Sequence, residues 1–410
     1  MRSFFKVKTA EDIFESLRDI KPLGTESVPI TGALNRVLAR DIISDEDLPG
    51  FQRSIMDGYA LAAKDSFGAS ENLPTPFNIV GEVTLGEIPQ CVLHRGECAQ
   101  ISTGGMLPEG ADAVVMVEYT QKVEDEVVEI SRPVSPLENV ILPDDDVKRG
   151  QVVLHKGSQL RPQDLGILAG LGISMIDVFT QPKAAIISTG EEIVDISKKP
   201  EAGQMRDINS YTLGGLCITL GVEPIYLGII KDRFEDITLF IEKGLSQADV
   251  VLLSGGSSVG VKDFTSDAFL SLDGVEVVAH GVSISPGKPT IIARKENKTL
   301  WGLPGHPVSA MIIFDVFLRY LFGKLVGLTN ITEYDSHAIE AEIDRNIESA
   351  TGREDYIRVK LSHVEGRWFA TPILGKSGLI STMVEADGIV RIDMNTEGLY
   401  KGETVKVRLF

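Results

Sequence analysis

The chain has 410 residues, 43% of them hydrophobic and 6% aromatic, and 40 Lys and Arg against 59 Asp and Glu leave a formal net charge of −19. That length exceeds what one hydrophobic core serves, so two to four domains are expected. The acid excess repels polyanions and no basic stripe offsets it, which excludes general binding to nucleic acid or to an anionic membrane surface and leaves small molecules and proteins as partners.

Cys91, Cys98 and Cys217 are too few and too scattered for a disulfide scaffold, and no CxxC or His-rich spacing marks a zinc site. The N-terminal residues show no signal-type apolar segment, and no apolar run approaches the length of a membrane span. A soluble cytoplasmic protein is the expectation.

In chain order, the first helix is predicted from Thr9 to Leu17, because Thr9 and Asp12 have the spacing of a capping pair. Short β-type runs follow: Phe77-Asn-Ile-Val80, Cys91-Val-Leu93, Cys98-Ala-Gln-Ile101, Ala113-Val-Val-Met-Val117 and Val127-Val-Glu-Ile130. Each is bounded by Gly, Pro or Asp, as in a small β-rich module inserted into something else. From Pro182 onward apolar strands alternate with helical stretches: strands at 184–187, 225–230, 250–253 and 299–302, and helices at 211–220, 234–247, 263–272 and 308–325. This pattern predicts a parallel, doubly wound sheet buried on both faces. Alternation returns at 356–361, 368–372 and 405–410, predicting a C-terminal all-β domain. The fold class is thus α/β multidomain, with a central doubly wound domain, an inserted β-rich module and a C-terminal β domain. Boundaries are expected at 1–45 with 145–180 for a linking stalk, 46–144 for the inserted module, 181–327 for the α/β domain and 328–410 for the last.

The chemistry concentrates where the parallel strands should end, since open sheets bind ligands beyond their strand C-termini. Ser188-Thr-Gly-Glu-Glu192, Ser254-Gly-Gly-Ser-Ser-Val-Gly260 with Asp263, and Leu303-Pro-Gly-His-Pro307 offer hydroxyls and glycine amides of the kind a phosphate needs. Neither GxxxxGK[ST] nor GxGxxG occurs, which argues against an ordinary NTPase or dinucleotide dehydrogenase. Glu192, Asp232 and Asp263 follow strands on the same edge and would repel phosphate unless a divalent cation bridged them; magnesium is the simplest such ion.

Asp47-Leu-Pro-Gly-Phe-Gln-Arg-Ser-Ile-Met-Asp-Gly-Tyr-Ala60, Ile101-Ser-Thr-Gly-Gly-Met-Leu-Pro-Glu-Gly-Ala-Asp-Ala-Val114, the three loops above, Ser285-Pro-Gly-Lys-Pro289, Gly352-Arg-Glu-Asp-Tyr-Ile-Arg358 and Ser377-Gly-Leu-Ile-Ser381 resemble, in order, motifs of the molybdopterin molybdenumtransferase family, which includes MoeA and the gephyrin E domain. The resemblance implies insertion of molybdate into adenylylated molybdopterin, with release of AMP and molybdenum cofactor, in the presence of Mg²⁺. It implies catalytic roles for Asp57, Thr103, Glu192, Asp232 and Asp263, of which Glu192, Asp232 and Asp263 are the metal ligands. Substrate binding falls to Ser188, Gly190, Gly255, Gly256, Ser258, Pro286, Lys288, Pro304, His306 and Pro307. It further implies an elongated homodimer with an active site shared between subunits, and a molybdopterin adenylyltransferase as a candidate partner.

Three positions depart from the family pattern. Val140-Ile-Leu-Pro143 replaces a basic stretch ahead of Asp144-Asp-Asp146; Ser285 stands where a lysine is common; and His306 stands where asparagine is usual. Fewer fixed cations weaken anion capture, so a molybdopterin-binding scaffold without efficient insertion is the alternative, and tungstate in place of molybdate a third reading.

Overall fold

The computed structural model describes residues 7–255, 264–330 and 338–410. The chain divides into two compact units: one of residues 1–40, 156–161 and 175–410, the other of 41–155 and 162–174.

The first unit begins with the helix Ala10–Leu17, and its cap is the one the spacing predicts. Thr9 Oγ1 accepts from the Asp12 amide at 3.1 Å and Asp12 Oδ2 accepts from the Thr9 amide at 3.0 Å. Ala10, Ile13, Phe14 and Leu17 form its buried face, and Phe14 packs on Phe317 with ring centroids 5.2 Å apart. Thr25–Pro29 then pairs antiparallel with Met175–Phe179.

The central sheet has six strands in the order Glu223–Ile230, Lys183–Thr189, Val250–Ser254, Lys298–Leu303, Ile291–Lys295, Glu276–His280. The first four run parallel, Ile291–Lys295 runs against both its neighbours, and Glu276–His280 again runs with the first four. Alternation explains the continuous apolar strands. Ala184, Ile186 and Leu252 join a core with Leu213 and Cys217 of the helix Asn209–Thr219, while Ala185, Ile187 and Leu253 join another with Ile237 and Ile241 of the helix Phe234–Gln247. A strand covered on both faces has no solvent-facing side to mark with polar residues. The antiparallel edge went unanticipated, because its strands lie among the loop signals around Ser285-Pro-Gly-Lys-Pro289.

The helix expected over 308–325 is present from Pro307 to Leu325, with a π-helical turn at Phe314–Leu318 between the α-helical stretches Pro307–Ile313 and Arg319–Leu325. A segment this apolar on all sides gives no periodicity from which a change of helical pitch can be read. Its Asp315, 4% exposed, sits between Arg319 at 3.0 Å and Arg408 of the C-terminal sheet. In that sheet Glu354–Val364, Arg367–Pro372, Ala338–Ile343, Thr404–Leu409 and Gly388–Ile392 pair in sequence, and the last returns to the first, so five strands close into a barrel. Ile284–Ser285 adds alongside Glu354–Asp355, which ties the barrel to the loop between the central sheet's two edge strands, Glu276–His280 and Ile291–Lys295.

The second unit carries a six-stranded sheet in the order Ala113–Met116, Gly58–Leu61, Glu97–Ile101, Thr75–Val83, Val127–Ile130, Thr120–Glu124. Leu61, Phe77, Val115 and Val128 pack on one face and Ala60, Val83, Ala99 and Val114 on the other. The run Cys91–Leu93 is not a strand: only an isolated bridge joins Val92 to Glu109. The helix Pro162–Gly170 was not foreseen; it opens with Pro at its first position, a placement that leaves no helical amide unmade.

Candidate functional site

The parallel strand ends of the first unit are fastened together by one short segment. After Met205–Arg206 the chain reaches Asp207, whose Oδ1 accepts from the Ser188 hydroxyl at 2.9 Å and from the Ser210 amide at 3.0 Å. Asn209 Nδ2 donates to Ser254 Oγ at 2.5 Å and to the Gly305 carbonyl at 2.9 Å. Four loops therefore meet through Asp207 and Asn209, neither of which the sequence reading singled out. Asn209 Oδ1 and Thr189 Oγ1 are buried with no hydrogen-bond partner among the described residues. The loops approach so closely that Gly255, at φ +104°, cannot carry a side chain: a Cβ there would lie 2.0 Å from the Thr189 carbonyl oxygen.

Beside these loops lies a cleft of about 560 Å³. Segment 282–289 supplies Lys288, Pro286, Ser283 and Ser285; the loop after Lys298–Leu303 supplies Pro304 and His306, and the helix it enters supplies Ser309; and the barrel supplies Thr351, Arg353 and Ser377. Among the described residues the ionisable groups lining it are Lys288, Arg353 and His306, with five hydroxyl residues and no carboxylate. That sign is opposite to the chain's net charge of −19. Arg353 is held in place by Asp355, with Nε at 3.1 Å from its Oδ1, and Asp355 also accepts from the Ser349 hydroxyl at 2.6 Å. Asp355 is the residue paired with Ser285 across the added strand. A guanidinium two residues from the pairing partner of Ser285 therefore reaches the cleft where the sequence shows a neutral serine. His306 Nδ1 lies 2.8 Å from Ser377 Oγ.

Among the expected substrate-binding residues, the cleft gathers Pro286, Lys288, Pro304 and His306. Ser188 is buried and engaged with Asp207 and Ser210, Pro307 is the buried first residue of its helix, and Gly190 and Gly255 lie in the strand-end turns. Gly256, Ser258 and Asp263 lie outside the described residues. Glu192 and Asp232 follow neighbouring strands: Thr189 pairs with Ile230, and the Gly190 amide donates to the Ile230 carbonyl at 3.4 Å. Carboxylate oxygens are the donors magnesium prefers. Among the described residues no third His, Cys, Asp or Glu joins them to form a metal-holding group. Arg353 and Ser377 were present in the sequence motifs, but nothing local to Gly352–Arg358 or Ser377–Ser381 says which side chains a distant loop will meet.

In the second unit Asp57 and Thr103 are brought together. Asp57 Oδ1 accepts from the Thr103 amide at 2.7 Å and from its hydroxyl at 3.0 Å. These bonds favour the ionised form and hold the Asp57 carboxyl below the usual carboxylate range. The following Gly58 is obligatory, since a Cβ would fall 1.9 Å from the Val115 carbonyl oxygen. Nearby acids of the same unit serve the backbone or a local cation: Asp145 accepts from the Leu142 amide at 2.7 Å, and Asp144 pairs with Lys148 at 3.1 Å.

Three family models match the chain: "MoeA N-terminal region (domain I and II)" over residues 6–172, "Probable molybdopterin binding domain" over 185–324 and "MoeA C-terminal region (domain IV)" over 340–410. The chain is 34% identical to the molybdopterin molybdenumtransferase of Haemophilus influenzae, covering 95% of each chain. It is 31% identical to the protein of that name from Bacillus subtilis, covering 94% of this chain and 90% of the relative. A crystal structure of the molybdopterin biosynthesis MoeA protein of Pyrococcus horikoshii aligns with a TM-score of 0.84 at 31% identity, covering 99% of this chain and all of that one.

Proposed function

This chain belongs to the MoeA family, and from that premise we propose that it is a molybdopterin molybdenumtransferase that inserts molybdate into adenylylated molybdopterin and releases AMP. The observation that carries the reading is the charge of the cleft. Lys288, Arg353 and His306 with five hydroxyl residues, and no carboxylate among the described residues, form a receiving surface for an oxyanion or a phosphate in a strongly acidic protein.

Breaking a phosphoanhydride requires charge neutralisation and positioning more than a covalent nucleophile. Lys288 and Arg353 supply positive charge, and the salt bridge to Asp355 fixes where the Arg353 guanidinium sits. Asn209 and Asp207 tie the strand-end loops together through hydrogen bonds with Ser254, Gly305, Ser188 and Ser210. Glu192 and Asp232, with Asp263, would hold Mg²⁺, which when bound supplies neutralisation of phosphate charge. Asp57 and Thr103 complete the catalytic set in this reading. A homodimer with a shared site, a four-part domain division, a cytoplasmic setting and supply of substrate by an adenylyltransferase belong to the same proposal. No helix among the described residues is long and apolar enough to cross a membrane.

The test is purified protein with adenylylated molybdopterin, Mg²⁺ and either molybdate or tungstate, scored by AMP release. Oxyanion-dependent AMP release that disappears in Asp57→Ala while the thermal midpoint stays put supports the transferase. Binding of the nucleotide without AMP release replaces it with the scaffold reading.

A further inference from the structure

We propose that His306 is a proton-dependent ligand of the cleft, a titrating third cation that strengthens oxyanion binding as pH falls; the inference rests on the oxyanion reading of the cleft given above. His306 Nδ1 and Ser377 Oγ are 2.8 Å apart, and both residues line the cleft. In the neutral ring with Nδ1 unprotonated, the Ser377 hydroxyl donates to that nitrogen and turns only lone pairs toward the cleft. Protonation places an N–H on both ring nitrogens, so that Nδ1 donates to Ser377 and the hydroxyl proton becomes free to point at an anion. One proton thus adds a positive charge and also converts a neighbouring acceptor into a donor. Both changes favour an oxyanion.

The groups that face the ring set the sign of the coupling. The 282–289 segment contributes Lys288, the barrel turn at 350–353 contributes Arg353, and the 377–378 loop, preceded by Lys376, contributes Ser377 and Gly378, the latter with its would-be Cβ 3.7 Å from the imidazole. Among the described residues no carboxylate lines the cleft, and the acid behind it, Asp355, is engaged by Arg353 at 3.1 Å. An anion bound beside the imidazole favours its protonated form, so binding takes up a proton, and by reciprocity proton uptake tightens binding. An asparagine at this position has no such response.

Calorimetric titration with inorganic sulfate, a tetrahedral dianion whose own charge is constant across the range in which imidazoles titrate, tests this from about pH 5.5 to about pH 8. Wild-type affinity is expected to fall roughly tenfold across that window, with binding heats that depend on the buffer's protonation enthalpy. His306→Asn is expected to bind with no pH slope and with the affinity of the wild type at its alkaline limit. Lys288→Ala is expected to weaken binding at every pH while keeping the slope, which shows that the slope does not come from the lysine. A slope retained in His306→Asn overturns the proposal, as does a flat wild-type profile or the absence of saturable sulfate binding. AMP release is scored separately: its absence alongside an intact His306-dependent slope removes the transferase reading and leaves this one standing.

Discussion

The cleft of the first unit and the Asp57–Thr103 pair of the second carry opposite charge and are assembled in opposite ways. The cleft draws Lys288, His306, Arg353 and Ser377 from four separate stretches of chain and presents cations and hydroxyls. The second site is a single carboxylate, set by one turn and held by two hydrogen bonds from Thr103. An anion-receiving surface can be built from long side chains converging on a shared volume, whereas an exposed acid must be held by backbone geometry if it is to point anywhere reproducible. The two regions should therefore fail differently under mutation.

The largest expected effect falls on the packing that carries Arg353. Asp315→Ala leaves Arg319 and Arg408 without their shared carboxylate, and loss of one partner from a buried ionic group costs about 3–5 kcal/mol. Denaturant midpoints measure it. The free thiols make the comparison sharper, because Cys217 lies in the core of the first unit and Cys98 in that of the second. In Asp315→Ala, Cys217 should become reactive at lower denaturant than Cys98, and simultaneous exposure would show that the two units unfold together.

Next come the cleft cations. Lys288→Ala and Arg353→Ala should each weaken sulfate or molybdate binding by about 1.5–3 kcal/mol, roughly tenfold to hundredfold, as expected for loss of a charge-assisted hydrogen bond. Asp57→Asn should leave that affinity alone. An equal loss in Asp57→Asn would break the separation of roles between the two regions.

A smaller effect concerns the acid itself. Thr103→Val keeps the amide bond to Asp57 but removes the hydroxyl, so the Asp57 carboxyl should rise toward its ordinary value, as followed by NMR titration. The sign follows from the lowered folded value: the turn's contribution is present above the unfolded carboxylate pKa and is lost as pH falls through the folded one. An unchanged titration in Thr103→Val would assign the whole depression to the backbone amide.

The smallest effect is a labelling pattern under native conditions. Burial pushes the Cys98 and Cys217 thiols up to about 12, so the partly exposed Cys91 should react first with a thiol reagent at neutral pH. Prompt labelling of either buried thiol would mean that its unit opens locally.

What the sequence by itself determined was whatever depends on neighbours in the chain. Thr9 and Asp12 announce their helix because a capping box closes within four residues. The strands Lys183–Thr189, Val250–Ser254 and Lys298–Leu303 show their burial as unbroken apolar runs, because both faces are covered, whereas the edge strand Glu223–Ile230 is half exposed. The family resemblance names Asp57 and Thr103 separately and the turn at Asp57-Gly58 is visible locally, but their contact is set by the fold. The tertiary structure alone decided the rest. It put a π-helical turn inside the 307–325 helix, left Cys91–Leu93 outside the second unit's sheet and gave the central sheet two antiparallel pairings at one edge. It also brought Asn209 across to Ser254 and Gly305, and Arg353 beside Lys288 and His306. The physical reason is range: caps and periodicity arise from hydrogen bonds and burial over a few residues, whereas a cleft's charge depends on which distant side chains the packing of strands and loops brings to one surface.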